Sequence, residues 1–374
     1  MPESALLYHR DRRGALQAVR PFSQLEWTHR FAAGGAFRLS MPLEAGAAVR
    51  PGDGIDVELD GRVDFSGVVQ GRELRYAPER EPSWELHGLD LTWWLHQRVI
   101  VPPAGASHDE QIDVPAETAI RHCIDAHLLR PADAARAIPV PASLAPANRP
   151  PLGPPVRVRA RYANLAREVE RIAALGGVGF AAWRDADGAI RFGVRAPRDR
   201  TADSATPVVI SPHLGTAAAL TYSEGGLRGR NALYVLGAGR GADRVVAPVT
   251  DAEDLARAGR REAVLDARDA GDEAAARDAG LAELARGAGQ RLRVAAVAPQ
   301  AGPIAYPDDW RVGDRVSIDL PDLGLRFDRR VEAVRVRADA GEPVAVDCAF
   351  GAPAPDAADT LRRIAERTAP ARFE

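Results

Sequence analysis

Lysine is absent from this chain of 374 residues, so every one of its 49 basic side chains is an arginine. The absence excludes the lysines on which P-loop nucleotide sites, Schiff-base enzymes and protein kinases depend. Cysteine is nearly as scarce, and Cys123 and Cys348 lie in opposite halves of the chain. Two cysteines exclude a disulfide framework and a cysteine-rich zinc site, and we expect both to be buried thiols.

Long hydrophobic runs and charge of one sign are missing as well. No apolar stretch approaches the ~18 residues that cross a bilayer, so the sequence predicts no membrane segment, and its first residues lack the layout of a secretory signal. The formal net charge is -3 with acidic residues and arginines intermixed, which argues against a dedicated nucleic-acid binder. A chain of this length is expected to form roughly two to four domains.

The first hundred residues carry short stretches of alternating apolar and polar residues separated by turns. In GDGIDVEL, for example, Ile55, Val57 and Leu59 alternate with two acidic residues. Alternation with a period of two is typical of a half-buried strand, and repeated short strands favour a sandwich or a barrel. The sequence therefore predicts a β domain over residues 1–100, completed by strands from about 200–235.

Residues 101–200 have a different sequence pattern, in which a proline-rich stretch lies between two helical patterns. Residues 131–156 contain eight prolines, which cannot donate to a hydrogen-bond ladder, so they predict an extended surface loop. Asn164 is suited to cap the second helix, and a turn at Asp187-Gly188 predicts a hairpin after it. Together these features predict a small α+β insertion.

Strand patterns return over residues 201–352 and predict a second β domain with an inserted helix at about 271–287. The stretch GRREAVLDARD fits either a strand or a helix by its pattern alone. Residues 353–374 place Leu361 and Ile364 on one face of a short terminal helix or tail. That helix has so little apolar surface that it would need a partner to dock on.

A glycine-rich loop, Gly237–Gly241, invites comparison with a dinucleotide-binding site. The Rossmann fingerprint requires a helix after its glycines, because the helix N-terminus receives the pyrophosphate. Here the glycines are followed by DRVVAPV, which is a strand pattern. A tight hairpin is therefore the favoured interpretation, and a nucleotide-binding enzyme that uses this loop is the alternative function.

His122 and His127 lie on either side of Cys123 in RHCIDAH and invite comparison with a metal site. Their spacing of five residues differs from the spacing of about three or four that places two metal ligands on one face of an α-helix. We therefore expect their proximity in the sequence to be a coincidence on a helix surface, and we predict no metal ligands.

Two pairs of aspartates are the remaining candidates for acid–base chemistry. Asp185 and Asp187 form one pair, and Asp308 and Asp309 form the other. Each pair lies in a predicted turn, where aspartate side chains usually bond to the backbone. The sequence contains no other catalytic motif, so we predict no catalytic or cofactor-binding residue and no enzyme activity.

Trp93 and Trp94 in LTWWLHQR form the one pair of adjacent large aromatic residues that suggests ligand binding, because aromatic faces stack on sugars. Packing at the edge of a β domain or at an interface is the favoured interpretation. A carbohydrate-binding module is the second alternative function.

One pattern of turn and strand occurs twice in the chain. Gly52-Asp53 and Gly313-Asp314 each precede an alternating strand, and Phe65 and Phe327 follow at nearly the same distance. Glycine permits the positive φ of such a turn, and aspartate bonds to the turn's backbone. The repetition predicts two copies of one β unit. Three such chains would form a ring of six similar units, which matches a six-fold tube.

The order of these motifs resembles that of the phage tail-tip and baseplate hub protein family. This family includes siphovirus Gp37-like tail proteins and the late-control hub proteins of phage-derived injection systems. The resemblance covers nearly the whole chain and is carried by GAFRLSMP, GDGIDVEL with FSGVV, GLDLTWWLHQR, RYANLAREVERIAALGGVGF, NALYVLGAGRGADR, GRREAVLDARD and YPDDWRVGDRVSIDL.

The resemblance implies a mainly β fold, with two tail-tube-like β-barrel domains, the α+β insertion and a short C-terminal helix. It favours a strand in GRREAVLDARD. It also implies a structural protein at the tail tip of a phage, prophage or phage-like particle, assembled in the cytoplasm of the bacterial host. A homotrimer would cap the tail tube and connect it and the distal tail proteins to a central fibre or spike. DNA would pass through without specific binding, for which the mildly acidic charge is suitable, and no cofactor is implied.

Overall fold

The computed structural model describes residues 5–78, 80–224, 230–268, 270–288, 292–298 and 302–350. Strands dominate this part of the chain and helices are few, which confirms the prediction of a mainly β fold. No helix among the described residues is long and apolar enough to cross a membrane. The terminal helix predicted over residues 353–374 lies outside the described residues.

The first part of the chain forms a sheet of antiparallel strands. Its elements are β1 (Ala5–Arg10), β2 (Leu16–Arg20), β3 (Gln24–Arg30), β4 (Ala36–Pro42), α1 (Leu43–Ala47), β5 (Gly54–Leu59), β6 (Arg62–Ala77), β7 (Arg80–Asp90) and α2 (Trp93–His96). Strands β3 to β7 lie in the spatial order β3-β4-β7-β6-β5, with β1 and then β2 beside β5. The predicted alternation is confirmed, because Ile55, Val57 and Leu59 are buried.

The α+β insertion follows, and its apolar side chains form a hydrophobic core of their own. Its elements are β8 (Asp109–Pro115), α3 (Ala116–Ile124), a π-helical turn (Asp125–Leu129), a 3-10 turn (Ala134–Arg136), β9 (Ala142–Leu144), β10 (Pro155–Ala160), α4 (Leu165–Gly176), β11 (Gly179–Arg184) and β12 (Ile190–Arg195). The predicted cap is confirmed, since Asn164 accepts a hydrogen bond from the backbone N–H of Arg167 at 3.3 Å.

The proline-rich stretch is not a loop throughout, because it contains the 3-10 turn Ala134–Arg136, the strand β9 and the first two residues of β10. Three of its residues form β9, which pairs in parallel with β12 at Ala142, Ser143 and Leu144. None of these three is a proline, so their backbone N–H groups are free to pair even though prolines lie on both sides of them.

The second half of the chain returns to strands. Its elements are β13 (Asp199–Arg200), β14 (Val209–Ile210), β15 (Ala219–Glu224), β16 (Ala232–Leu236), a 3-10 turn (Gly241–Asp243), β17 (Val246–Thr250), α5 (Ala252–Ala258), β18 (Glu262–Asp266), α6 (Glu273–Ala288), β19 (Leu292–Val297), β20 (Arg315–Leu320), a 3-10 turn (Pro321–Leu323), β21 (Leu325–Asp339) and β22 (Ala345–Phe350). The expected helix near 271–287 is α6, and GRREAVLDARD contains the strand β18.

The strands between residues 200 and 235 extend the second half of the sheet and not the first. Strands β13 and β14 pair with β20, and β15 pairs with β19. Strand β16 lies apart from them, in a three-stranded sheet with β17 and β18. This small sheet packs its apolar side chains against α6.

Two five-stranded units of the fold have the same topology. The first runs β3-β4-β7-β6-β5, and the second runs β15-β19-β22-β21-β20. In each unit the first strand of the sequence pairs with the second, the second with the fifth, the fifth with the fourth and the fourth with the third. All eight of these pairings are antiparallel. The predicted duplication of a β unit is therefore confirmed by the strand order.

The two units also agree at two equivalent points along their fourth strands. Val57 pairs with Phe65 in the first unit, and Ile318 pairs with Phe327 in the second. The ladder between the fourth and fifth strands has a bulge after Val69 in the first unit and after Val331 in the second. A bulge is one inserted residue that bends a strand, so both copies bend at equivalent points.

The two units join into one continuous sheet, because β21 of the second unit pairs with β3 of the first. Most of the large buried side chains of both units belong to one hydrophobic core, which includes Trp27, Phe37, Trp310 and Phe350. The described strands form an open path that ends at β15 and at β2. They do not form a closed barrel.

The second Gly-Asp turn supplies a test of this packing. Gly313 has a φ of +95°, and a Cβ atom at this residue would lie 2.3 Å from Cδ2 of Phe31. Gly341 has a φ of +81° and nothing within 4 Å of such an atom. We predict that Gly341→Ala carries only the cost of a left-handed residue, about 1–2 kcal/mol. Gly313→Ala adds about 1–3 kcal/mol of overpacking.

Urea unfolding of both variants measures the difference. Equal free energies of unfolding for the two variants would contradict the close approach of Gly313 to Phe31.

Candidate assembly interface

The first Gly-Asp turn fixes the start of β5 through its own backbone. The N–H of Gly52 donates to the carbonyl of Val69 at 2.7 Å, and the N–H of Val69 donates to the carbonyl of Asp53 at 2.9 Å. The carboxylate of Asp53 closes the turn by accepting the N–H of Arg50 at 2.8 Å. The φ of Gly52 is +93°, a conformation that favours glycine.

The second turn repeats this set of hydrogen bonds at the start of β20. The N–H of Gly313 donates to the carbonyl of Val331, and the N–H of Val331 donates to the carbonyl of Asp314, each at 2.8 Å. The carboxylate of Asp314 accepts the N–H of Arg311 at 2.8 Å. The sequence pattern therefore corresponds to one turn geometry, built twice.

Each turn carboxylate is also anchored by a basic side chain from outside its unit. Asp53 lies 3.0 Å from Nε2 of His9 on β1, and Asp314 accepts Nε and Nη2 of Arg198 at 2.7 and 2.6 Å. His9 and Arg198 have no common sequence context, so the turns are equivalent while their anchors differ.

The joint between the two units is an antiparallel ladder of seven residue pairs that runs from Ala333↔Arg30 to Asp339↔Gln24. Val336 lies opposite Trp27 in this ladder, and both side chains are completely buried. The joint shows that the bent half of a fourth strand accepts the first strand of another unit as its neighbour.

The equivalent edge of the first unit pairs with no further strand among the described residues. Strand β6 pairs with β5 over residues 62–68, and beyond Val69 it pairs only with β7. Tyr76 on this stretch is 72% exposed. At the other end of the sheet, β15 pairs only with β19. Each described chain thus presents one free fourth-strand edge and one free first-strand edge.

The carboxylate of Asp64 on β6 links strand β3 of the first unit to the loop before β20. It accepts Nε1–H of Trp27 at 2.7 Å and lies 2.8 Å from Nε2 of His29. It also accepts the hydroxyl of Tyr306 at 3.3 Å. Burial alone raises the pKa of Asp64, but its contacts with His29, Trp27 and Tyr306 outweigh burial, and the net effect is a pKa below the ordinary value.

A cleft of about 340 Å³ lies around this group, between the first unit, the insertion and the loop before β20. Asp64 and Tyr306 both line it. Burial, and then the neighbouring Asp64, raise the pKa of Tyr306 well above 10. Tyr306 therefore stays a neutral hydrogen-bond donor, and Asp64 is already bonded to three donors, so neither group is prepared to act as a base or a nucleophile.

The glycine-rich loop is a hairpin, as predicted. Strands β16 and β17 pair antiparallel on either side of it, and the N–H of Gly237 donates to the carbonyl of Val245 at 2.8 Å. A Cβ atom on Gly239 would lie 2.5 Å from the carbonyl oxygen of Asp243, so this glycine permits a tight turn. The segment contains a 3-10 turn and no helix N-terminus that faces a phosphate site.

The two tryptophans take the structural role that the favoured interpretation gives them. Trp93 and Trp94 contact each other edge to face with ring centroids 4.7 Å apart. Both are partly buried against the hydrophobic core of the insertion, which removes much of the ring surface that a sugar would need.

One aspartate of each pair, Asp185 or Asp309, bonds to the backbone of a turn, as predicted. Asp185 accepts the N–H groups of Asp187 and Ala189 at 3.1 and 2.9 Å. Asp309 accepts the N–H of Ala305 at 2.7 Å, and Asp308 pairs with Arg62 on the surface.

Both cysteines are buried free thiols, as predicted. Burial raises the pKa of Cys123 far above its ordinary value and that of Cys348 to about 12, so neither is a ready nucleophile.

The structure contradicts the interpretation of the histidine pair as unrelated side chains on a helix surface. His122 and His127 meet at the carboxylate of Asp109, and His127 is buried. The π-helical turn after α3 changes the residue spacing that the sequence argument assumed. Asp109 lies on β8, so no local motif in the sequence linked it to the pair.

Three solved structures that share this fold are tail proteins. The 43 kDa tail protein of prophage MuSo2 from Shewanella oneidensis aligns with a TM-score of 0.58 and 16% identity, over 93% of this chain and 96% of that one. The tail protein from Neisseria meningitidis MC58 aligns with a TM-score of 0.56 and 12% identity, over 93% and 97%. The prophage tail protein gp18 from Listeria monocytogenes EGD-e aligns with 0.54 and 10%, over 96% and 98%. The fold is thus that of this class of tail proteins.

The sequence defines the family more closely than the fold does. Residues 8–352 match the family described as Siphovirus ReqiPepy6 Gp37-like protein. The chain therefore belongs to the Siphovirus ReqiPepy6 Gp37-like family, which confirms the resemblance drawn from its motifs. Among curated proteins, none matches the chain in sequence.

The lowered pKa of Asp64 generates a prediction about acid stability. A carboxylate with a depressed pKa in the folded state stabilises the fold above the unfolded pKa of about 3.9 and loses this contribution as pH falls through the folded pKa. We predict that Asp64→Asn lowers the free energy of unfolding by about 2 kcal/mol near neutral pH. The difference from the original protein shrinks as the pH falls below about 4.

Denaturant unfolding at a series of pH values measures this difference, with Asp203→Asn as the control because Asp203 is exposed. The account of Asp64 is wrong if the two variants give the same free energy of unfolding at every pH.

Proposed function

We propose that the protein is a structural component of a phage-type tail tip, in which copies join edge to edge into a trimeric ring that caps the tail tube. The observation that carries the proposal is the internal joint between β21 and β3. One unit of the chain already binds the next through its fourth strand, and among the described residues the same two kinds of edge, the bent half of β6 and the outer side of β15, have no paired strand. Family membership and the fold shared with tail proteins support a role in a phage-type tail.

Strand equivalence gives the register of the proposed contact. The bulges align Ala333 with Gly71, so each residue of β21 after the bulge has an equivalent residue on β6. The ladders with the second strands align Trp27 with Tyr222, so β3 maps onto β15. Transfer of the internal register then places β6 of one copy antiparallel to β15 of the next.

Two pairs in this register have exposed side chains that no core packing depends on. The internal pair Arg337↔Glu26 corresponds to Arg75 of one copy opposite Thr221 of the next copy. The internal pair Arg335↔Thr28 corresponds to Glu73 of one copy opposite Ser223 of the next copy. All four transferred residues are exposed in the single chain, as the proposal requires of residues that a neighbour would contact.

Ring closure follows from repetition of the joint. Eight strands lie side by side from β15 to β6 in each chain, so three chains provide a closed wall of 24 strands and six similar units. A free edge invites pairing with another chain, and closure of the ring pairs the open edges of β6 and β15 in every copy. In this proposal the tail-tube-like barrel wall is formed by three chains together.

The remaining parts of the chain follow from this arrangement. We propose residues 1–100 and 201–352 as the two tube-like domains and residues 101–200 as the insertion between them. The ring would contact the tail tube and distal tail proteins on one side and a central fibre or spike on the other. DNA would pass through without specific binding, and the protein would act without catalysis in the virion.

Cysteine cross-linking tests both the contact and its register. We predict that Arg75→Cys with Thr221→Cys, and Glu73→Cys with Ser223→Cys, form disulfides between copies and give covalent dimers and trimers on a non-reducing gel. Residues directly opposite on antiparallel strands have Cα atoms ~4.5–5.5 Å apart, which suits a disulfide. Within one chain β6 and β15 are seven ladder steps apart, or about 34 Å along the sheet at the usual strand spacing, and the covalent dimers and trimers on the gel identify the disulfides that form between copies.

The same four substitutions supply their own control. The crossed combinations, Arg75→Cys with Ser223→Cys and Glu73→Cys with Thr221→Cys, are out of register by two residues, and diagonal neighbours are roughly 7–8 Å apart. They should cross-link far less. Equal cross-linking by matched and crossed pairs would overturn the register, and a protein that stays monomeric at every concentration would overturn the ring.

A further inference from the structure

Three side chains of the insertion meet at one point, on elements other than the two strands of the proposed interface. Asp109 is the first residue of β8, His122 lies on α3, and His127 lies on the π-helical turn that follows α3. Nε2 of His122 is 2.9 and 3.1 Å from the two carboxylate oxygens of Asp109, and Nε2 of His127 is 2.6 Å from one of them. One donor atom from each residue lies within 4.8 Å of the other two.

The π-helical turn brings the two imidazoles together. Residues five apart lie on different faces of an α-helix, but a π-helical turn bonds residue i to residue i+5 and so brings them onto one side. The N–H of Arg130 donates to the carbonyl of Asp125 at 2.7 Å, which is a hydrogen bond of this kind. Turns of this type are frequent at functional sites.

We infer that Asp109, His122 and His127 form a binding site for a divalent transition-metal ion of the zinc class. Two imidazole nitrogens and one carboxylate oxygen are ligands that such ions take at ~2.0–2.2 Å. Imidazole ligands favour zinc, cobalt or nickel over magnesium and calcium, which prefer oxygen. The present contacts of 2.6–3.1 Å need to open by only a fraction of an ångström to admit the ion.

Burial and charge suit this assignment. The side chains of Asp109 and His127 are 8% and 4% exposed, whereas that of His122 is 33% exposed. A buried carboxylate loses the solvation that stabilises its charge, and a divalent cation between it and two imidazoles compensates that loss. The exposed side at His122 provides an entry path and leaves room for a water molecule as the remaining ligand.

The ion would have a structural role. It would fasten the start of β8 to the end of α3, which are the two elements that supply its ligands. This inference does not depend on the proposed assembly, because none of the three residues lies on β6 or β15.

Metal titration of the untagged, metal-free protein tests the inference, with zinc chloride as the probe in isothermal titration calorimetry and cobalt chloride in visible absorption. We expect one ion per chain, a higher melting temperature with zinc, and a cobalt spectrum typical of four or five ligands. The variants Asp109→Asn and His127→Ala should each weaken zinc binding by at least about 100-fold. The matched control His213→Ala removes an exposed histidine that pairs with Asp322 and should bind as the original protein does.

Each outcome decides the question. Saturable zinc binding that is lost in the two ligand variants and kept in the control supports the site. Absence of stoichiometric binding by the original protein overturns it and leaves a hydrogen-bonded cluster of one aspartate and two histidines. Binding that survives His127→Ala also overturns it. If a variant does not fold, zinc-edge X-ray absorption of the original protein decides, because the site requires two imidazole nitrogens on the ion.

Discussion

The structure depends on the pairing of strand edges at one kind of bent strand. In each unit the fourth strand pairs with the third strand over its first half, bulges, and then offers its second half to another neighbour. The Gly-Asp turn fixes where this change occurs, because its backbone bonds to the strand at the residue before the bulge, Val69 or Val331. In the second unit the offered edge is filled from within the chain. In the first unit it is open, and the proposed assembly follows from that difference.

A single buried core holds the two units in one arrangement. Trp27 lies at the internal joint, completely buried, and bonds through its indole N–H to Asp64 on the other side of the first unit. Tyr306 brings the loop before the second turn to the same carboxylate. Packing and hydrogen bonds therefore fix how one unit follows the next. In a ring built from such joints, the contacts that each chain already makes would set the angle between neighbouring units.

The features that the sequence predicted are those with local physical causes. The strand of Ile55, Val57 and Leu59 follows from alternation, and the cap of α4 follows from Asn164. Both Gly-Asp turns follow from the need for a positive φ. The strand order, the joint of β21 with β3 and the open ends of the sheet depend on pairings between distant residues, which no local pattern contains. The histidine pair was misinterpreted for a related reason, because the argument assumed α-helical spacing where the chain forms a π-helical turn and because Asp109 comes from another element.

Hydrogen–deuterium exchange, measured on the assembled protein and on the dilute single chain, tests the central claim most directly. The internal joint provides the reference, since the amides of residues 333–339 on β21 pair with β3 in both states. The account predicts that the amides of residues 71–77 that point away from β7, and those of β15 that point away from β19, exchange quickly in the single chain. In the assembly they should become as protected as the reference. Exchange at β6 and β15 that stays the same in both states would contradict the account.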